Sequence, residues 1–413
     1  MTEEEGQRIV EAATARLLAE HPPKDTEKLA FLNAQWDAGL AYVHYPEGYG
    51  GLGAPVNLQG WVDETLRSAG APANGRMINA IAAGQGSASI LAFGTEHAKQ
   101  KYLRPLFTAE MMGCQLYSEP GSGSDLASLA TRAVRDGDEW VVNGQKVWTS
   151  GAQRADMAIL LARTNPDVPK HEGLTQFCVD MRQPGVDVRP LRNMGGGAEF
   201  NEVFLTDVRI PDSERLGDPG EGWKVSQHTL VHERYNMPQM PGRGEGAISG
   251  AVEAWQKRAD KTSAAAIGLK DELMRHWVDM EILRLLQIRA GSLRASGSSG
   301  PEGSLGKLAV SVLQRRLSEW GPKLLGPEGM IVEGGYTAPE YDAEAMAAAM
   351  ASGGRRRGMG GGSLSQACVG SPGISIAGGT DQIQRNIIGD RVLGLTREPA
   401  ADRGVPWSQT LRN

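Results

Sequence analysis

Two short runs of this chain bring hydroxyls, glycine and aromatic surface together in ways that suit ligand chemistry. The first is Ser118-Glu119-Pro120-Gly121-Ser122-Gly123-Ser124-Asp125. Glycine has no Cβ, so the backbone at Gly121 and Gly123 can approach a ligand closely. The serines add hydroxyl donors for phosphate or carbonyl oxygens. On its own such a run serves as a surface loop about as readily as a site. The second run, Lys146-Val147-Trp148-Thr149-Ser150, lies one hairpin away. Trp148 could offer a flat face to a planar cofactor while Ser150 bonds its edge. Taken alone, Trp148 reads better as a core residue.

Other patterns carry less. Gly48-Tyr49-Gly50-Gly51-Leu52-Gly53 fits G-x-G-x-x-G, but that pattern cradles a dinucleotide only between a strand and a helix. Pro46 precedes it and its surroundings read as helical, so a tight turn is the better reading. His228 and His232 stand four apart, without the general-base position of H-E-x-x-H and without a third ligand nearby, so no metal is expected. Glu233-Arg234, taken alone, is a solvated helical pair, since i,i+1 neighbours on a helix do not face each other.

The elements that must position these residues follow from periodicity. Ile9, Ala12, Ala13 and Leu17 mark a helix that Pro22-Pro23 stops, and Leu29, Leu32, Trp36 and Leu40 mark another. Helical spacing continues through Ala98–Leu103. From about residue 115 the period shortens. Asp136-Gly137 and Asn143-Gly144 read as hairpin turns, and strands are expected at Thr131–Val134, Glu139–Asn143, Gln145–Thr149, Met157–Ala162, Thr175–Met181, Val186–Leu191 and Glu202–Ile210. Past Gly222 helices return, with long candidates at Met274–Ala295 and Leu305–Leu325. The expected organisation is helical over 1–114, an antiparallel β domain over 115–217 and helical over 218–413. A Gly- and Arg-rich loop is expected at 351–364, where so much glycine cannot hold a helix.

Composition narrows the class. The 413 residues hold 43 basic and 49 acidic side chains, a balance that does not suit a general nucleic-acid binder. The three cysteines, Cys114, Cys178 and Cys368, form no C-x-x-C pair, which disfavours a disulfide framework or structural zinc. The acidic start and the lack of a long apolar run point to a cytoplasmic protein without stable membrane insertion.

In order along the chain, Tyr45-Pro46-Glu47-Gly48-Tyr49-Gly50-Gly51, Ser118–Asp125, Lys146–Ser150 and Gly378-Gly379-Thr380-Asp381-Gln382-Ile383-Gln384-Arg385 resemble four signatures of the acyl-CoA dehydrogenase family. These are its P-E-x-Y-G-G segment, its T-E-P-x-x-G-S-D loop, its second flavin-contacting strand and its E-G-T-S-x-I-Q-R turn. The resemblance covers nearly the whole chain. It implies an N-terminal helical domain, a central β domain and a C-terminal four-helix bundle, assembled as a homo-oligomer, dimer or tetramer. It also implies bound FAD, with Tyr117, Ser118, Trp148 and Ser150 facing the isoalloxazine ring. Ser124 would reach the phosphates of cofactor and substrate, and Thr380 and Gln382 would contact FAD. Ser118 and Ser150 stand where Thr is commoner, and each keeps the hydroxyl.

The implied reaction is α,β-dehydrogenation of an acyl-CoA thioester to the trans-2-enoyl-CoA, with an electron-transfer flavoprotein or similar acceptor taking the electrons. Most members carry the base as the Glu of E-G-T, whereas this chain has Gly378. A minority, resembling isovaleryl- and long-chain-type enzymes, keep the base on a C-terminal-domain helix before an Arg, and Glu233-Arg234 matches that position. The resemblance therefore implies Glu233 as general base, Arg234 as a CoA contact and Gly378 as a backbone N–H donor to the thioester oxygen. Gly378 would also leave room for that carboxylate or for a bulky acyl group. A second departure is Arg258–Ser263, which keeps little of the family's R-x-T-F-G segment and implies either that the adenine end of FAD is held differently or that FAD is bound less tightly. Two alternatives stay open: a non-catalytic or partner-dependent subunit of a hetero-oligomer, and an acyl-CoA oxidase or flavin monooxygenase on the same fold.

Overall fold

The computed structural model describes residues 2–235, 242–295, 302–331 and 364–410. Helices α1 (Glu3–Glu20), α2 (Lys28–Asp37), α3 (Gln59–Ser68), α4 (Gly75–Ile78), α5 (Ser87–Phe93) and α6 (Glu96–Thr108) come first. Thr2 caps α1 by accepting from the Glu5 N–H, and Glu3, Glu4 and Glu5 place negative charge at the positive end of the helix dipole. Its buried face is Val10, Ala13, Thr14 and Leu17, while Ile9 and Ala12 face solvent. The apolar stripe is thus turned by about one residue from the expected one, and it admits Thr14, whose hydroxyl is satisfied by the Val10 carbonyl.

The glycine-rich run at 48–53 links α2 to the next helical turn, with no strand before it. Its constraint is steric. A Cβ on Gly51 would lie 2.0 Å from the Tyr45 carbonyl oxygen, and the Gly50 carbonyl accepts from the Ala41 and Tyr42 amides.

Strands β1 (Gly113–Leu116), β2 (Arg132–Asp136), β3 (Glu139–Lys146), β4 (Met157–Arg163), β5 (Leu174–Asp180), β6 (Val186–Leu191), β7 (Phe200–Pro211) and β8 (Arg215–Leu216) form one sheet. Its order is β6-β7-β3-β2-β4-β5-β8, with β1 on β4. The β2–β3 hairpin reverses one residue beyond the expected pair: Asp136 pairs with Glu139 and the two-residue loop is Gly137-Asp138, with Gly137 taking the left-handed position at φ 63°. Asn143-Gly144 is no turn: β3 runs through it, and the ladder with β7 shifts register between Val142 and Gly144. The Asp207 N–H and carboxylate both bond the Asn143 side chain, so the Asn-Gly pair makes an irregularity rather than a reversal. The sheet is mostly antiparallel, but β1 pairs with β4 in parallel.

β4 explains how the layers join. All seven of its residues are buried. Ala158, Leu160 and Ala162 pack with Trp140, Phe177 and Leu205 inside the β domain. Met157, Ile159 and Leu161 point the other way, into a core shared with Phe31, Leu32, Tyr42 and Phe107 of the helical layer. A strand covered on both faces reads as a continuous apolar run, as M-A-I-L-L-A does.

Helices α7 (Gly222–Tyr235), α8 (Ala247–Lys257), α9 (Ala264–Ala295), α10 (Glu302–Leu325), α11 (Leu364–Gly370) and α12 (Asp381–Arg391) follow. Trp320, Leu317 and Leu324 of α10 pack on Leu273 of α9 and Trp255 of α8. Residues 351–363, most of the expected Gly- and Arg-rich loop, lie outside the described residues. Among the described residues no helix is long and apolar enough to cross a membrane.

Candidate active site

The two hydroxyl-bearing runs meet at one edge of the sheet. The Val147 amide donates to the Ser118 carbonyl at 2.9 Å, which sets the segments side by side. Thr149 and Asn201 then exchange bonds, Thr149 N–H to the Asn201 carbonyl at 3.0 Å and Asn201 Nδ2 to the Thr149 carbonyl at 2.9 Å. The Gly151 amide closes onto the Glu199 carbonyl. Residues 147–151 are therefore fixed on both sides.

What ties the runs together is a buried ion pair. The Lys146 ammonium, fully buried, donates to Glu119 Oε1 at 2.8 Å, to the Tyr117 carbonyl at 3.0 Å and to the Leu161 carbonyl at 2.8 Å. Those three acceptors account for all its protons. The Glu119 carboxylate also accepts from the Ala130 and Thr131 amides at 2.7 and 2.9 Å. Burial alone would raise the Glu119 pKa, but Lys146 and the donors around it outweigh that and hold it below its ordinary value. Burial pulls the Lys146 ammonium down, with Glu119 opposing. The alternation of β3 could have flagged this lysine: Trp140 and Val142 face inward, and Lys146 ends the same face.

Tyr117, Ser118, Trp148 and Ser150 come together here, in different attitudes. The Tyr117 ring is buried and its hydroxyl donates to Gln176 Oε1 at 2.9 Å. Ser118 and Ser150 are half-buried. Trp148 is 62% exposed, with its ring edge-on to Phe200 and its backbone in the left-handed region at φ 61°. A large ring kept out of the core on a conformation that costs roughly 1–2 kcal/mol is an unusual use of tryptophan. The core-packing alternative for Trp148 is thereby set aside. Beside it, the Thr149 hydroxyl is buried with no partner, an orphan that sequence reasoning did not single out.

The 119–125 turn closes on itself. Glu119 and Ser122 exchange backbone bonds, and the Ser122 hydroxyl donates to the Asp125 carbonyl at 2.7 Å. Ser124 is left exposed, and a Cβ on Gly123 would meet nothing within 4 Å. Glycine at 123 is therefore not demanded by the packing of this chain, and it leaves open space beside Ser124.

Thr380, Gln382 and Gly378 are organised by a different element, the head of α12. Thr380 is its N-cap and accepts from the Ile383 amide, while Gln382 is exposed. Gly378 and Gly379 are both left-handed, at φ 67° and 89°. Gln384, buried, donates to both of their carbonyls at 3.3 and 3.4 Å. Buried Asp381 anchors the turn to α10 through Lys307 at 3.2 Å and the Ser311 hydroxyl at 3.0 Å. Glu233 and Arg234 lie in the last turn of α7, and their side chains are outside the described residues. Farther up that helix, His228 Nδ1 lies 3.2 Å from the Ser89 hydroxyl.

The Arg258–Ser263 departure has a structural use. Asp260 accepts from the Thr262 and Ser263 amides at 3.1 Å, and the Ser263 hydroxyl accepts from the Ala266 amide. That segment starts α9, and the Ser263 hydroxyl helps pull the Asp260 pKa down to about 2.

Known proteins match this arrangement from end to end. The acyl-CoA dehydrogenase N-terminal domain matches residues 1–110, the middle domain 114–208 and the C-terminal domain 220–393. The chain belongs to the acyl-CoA dehydrogenase family. It is 34% identical over 364 residues to acyl-CoA dehydrogenase IpdE1 of Mycobacterium tuberculosis, covering 87% of this chain and 86% of that one. It is also 34% identical over 362 residues to FadE34 of the same organism, covering 87% of this chain but 45% of that longer protein. Among solved structures, a variant of the Tcur3481–Tcur3483 steroid ACAD superposes with TM-score 0.68 at 25% identity, covering 96% and 95% of the two chains. The ChsE4–ChsE5 complex of Mycobacterium tuberculosis gives 0.66 at 25%, covering 96% and 98%.

Family membership makes the protein an FAD-dependent oxidoreductase, and its own residues fit that cofactor. The orphan Thr149 hydroxyl, the outward Trp148 ring and the open approach at Gly123 and Ser124 offer a donor, a planar face and room for phosphates on one edge.

Proposed function

We propose that this chain oxidises a bulky acyl-CoA thioester to its trans-2-enoyl-CoA, with Glu233 as the general base. FAD supplies the two-electron acceptor for the β-hydride. The Glu233 carboxylate takes the α-proton, and the Gly378 amide donates to the thioester oxygen as negative charge develops there. Ser118, Thr149 and Ser150 offer hydroxyls to the flavin edge, Trp148 packs on its face, and Thr380 and Gln382 contact it from α12. Arg234 and Ser124 hold the CoA portion, and an electron-transfer flavoprotein or similar acceptor reoxidises the flavin.

The observation that carries this reading is the Gly378-Gly379 turn. Two left-handed glycines held by Gln384 present backbone alone, so the carboxylate must come from another element, and the last turn of α7 carries Glu233. The same lack of a side chain leaves space for a large acyl group, and a similar solved structure is a steroid ACAD. The decisive experiment mixes the flavoprotein with short, branched and steroid-side-chain acyl-CoAs under anaerobic conditions. Bleaching of the flavin absorbance by a bulky thioester, abolished in Glu233→Gln with flavin retained, is the expected result. Bleaching that survives in that variant overturns the base.

A partner-dependent subunit is the second reading, favoured by one surface. Ile267, Met274, Val278, Ile282, Leu285 and Ile288 of α9 are large, apolar and about half exposed. Spacings of three, four and seven put them on one side of the helix. A similar chain occurs in a complex of two different proteins, ChsE4 and ChsE5. We therefore assign α9 to a subunit interface, either with a second copy or with a related chain. Flavin content after purification alone, against co-expression with a related chain, decides between these partners.

A further inference from the structure

Beyond α12 the chain turns back to the β domain. This segment lies past residue 393, where the family match ends. Pro169 and Pro406 form a β-bridge, the Trp407 amide donates to the Val168 carbonyl at 2.9 Å, and the Ser408 amide donates to the Pro166 carbonyl at 2.8 Å. Trp407 is buried, and its indole Nε1–H donates to the Ser128 carbonyl at 3.2 Å. Its ring lies under the Arg163 guanidinium, whose carbon is 4.2 Å from the ring centroid.

Arg163 is itself buried and committed to the same neighbourhood. Its Nη2 donates to the Ala127 carbonyl at 2.5 Å, its Nε to Leu129 at 3.1 Å and its Nη1 to Lys170 at 3.2 Å. Lys170 in turn sits between two carboxylates, Asp125 at 2.9 Å and Asp402 at 2.5 Å. Three independent ties thus converge on 125–129, the far side of the turn that carries Gly123 and Ser124. They are the indole bond to Ser128, the guanidinium held against the ring, and the Asp125–Lys170–Asp402 bridge. A cation–π contact is stronger when both groups are desolvated, as these two buried side chains are.

We propose that Trp407 is a positioning residue. With Asp402, it locks the Gly121–Asp125 turn in the shape that receives the diphosphate of a bound ligand, either FAD or the CoA portion of the substrate. The proposal rests on the functional reading above for its ligands and on the contacts just described for its clamp. The phosphate oxygens bond donors on a turn whose own internal bonds leave Ser124 free to point outward. A turn released from its far anchors loses the fixed geometry that makes such donors effective.

The test uses Trp407→Ala, Trp407→Phe and Asp402→Asn in the full-length chain. Hydrogen exchange of amides 121–130 in flavin-free protein reads the clamp alone. Fluorescence titration with FAD, and flavin-band perturbation by an acyl-CoA in flavin-saturated protein, read the two diphosphates separately. Faster exchange and at least about tenfold weaker binding of one of the two diphosphate ligands are expected for Trp407→Ala. Trp407→Phe, which keeps a ring under Arg163, should recover most of the affinity, and Asp402→Asn should give a smaller loss in the same direction. Unchanged exchange in Trp407→Ala overturns the clamp. Faster exchange with both affinities intact overturns the positioning role. Should Trp407→Ala fail to fold, the same two readouts on Asp402→Asn decide the matter. A flavin that no acyl-CoA bleaches would remove the dehydrogenase reading while leaving the exchange and FAD results to stand.

Discussion

Lys146 and Thr149 stand three residues apart and show opposite ways of burying a polar group. Lys146 spends every proton on a fixed acceptor, and removing it strands a buried carboxylate. Lys146→Met should therefore destabilise the protein by about 3–5 kcal/mol, read as a shift in urea midpoint. Lys146→Met with Glu119→Gln should cost less than the sum of the single changes. Thr149 has nothing to lose in the flavin-free chain. Thr149→Val should leave the stability of flavin-free protein level or slightly higher. It should weaken FAD binding about tenfold, measured by titration, as expected for one lost hydrogen bond of about 1–1.5 kcal/mol. The resemblance grouped Tyr117, Ser118, Trp148 and Ser150, and the Val147–Ser118 backbone bond brings their two segments side by side, but Glu119 and Lys146 stand 27 residues apart. Their pairing depends on how β1 and β4 bring the 117 loop under β3, which no local pattern encodes.

Among the elements, the head of α12 combines a steric demand with an electrostatic one. A Cβ on Gly379 would need a left-handed backbone at φ 89° and would come within 2.7 Å of Gln384 Nε2. Gly379→Ala should cost at least about 1–2 kcal/mol and release Gln384, visible as a lower thermal midpoint. Asp381 adds a pH dependence. Burial alone would raise its carboxyl, but the Ser311 hydroxyl and Lys307 outweigh that and hold it below 3.8. The folded form binds fewer protons than the unfolded one, so the stabilisation is complete above that value. It is lost as pH falls through the lower folded value. Asp381→Asn should flatten the fall of the urea midpoint below about pH 4. Elements were legible where local chemistry decides them, as at the β2–β3 hairpin, to within one residue, and along the apolar β4. They were misread where a partner decides, as at Asn143-Gly144, whose Asn is taken by Asp207 of β7. The same holds for α1, whose buried face is set by what packs on it.

At the scale of the molecule, α9 keeps a row of large apolar side chains about half exposed among the described residues. Ile282→Asp with Leu285→Asp should split the assembly into smaller species on sedimentation, with the Trp148 edge of the β domain unaltered. The order helix, strand, helix was readable from the change of hydrophobic period alone, because each layer buries one kind of face. The return of the chain to the β domain was not. Trp407 and Ser128 meet across 279 positions, and nothing near either residue announces the other.

That meeting sets a clock. A ribosome adding about 5–20 residues per second makes Ser128 tens of seconds before it makes Trp407. Through that interval the nascent β domain can already hold its sheet, while the turn meant for phosphates has no indole beneath it. Where FAD is the ligand of that turn, cofactor loading is deferred toward the end of synthesis. A ribosome stalled after α12 should then carry a folded domain that does not retain flavin.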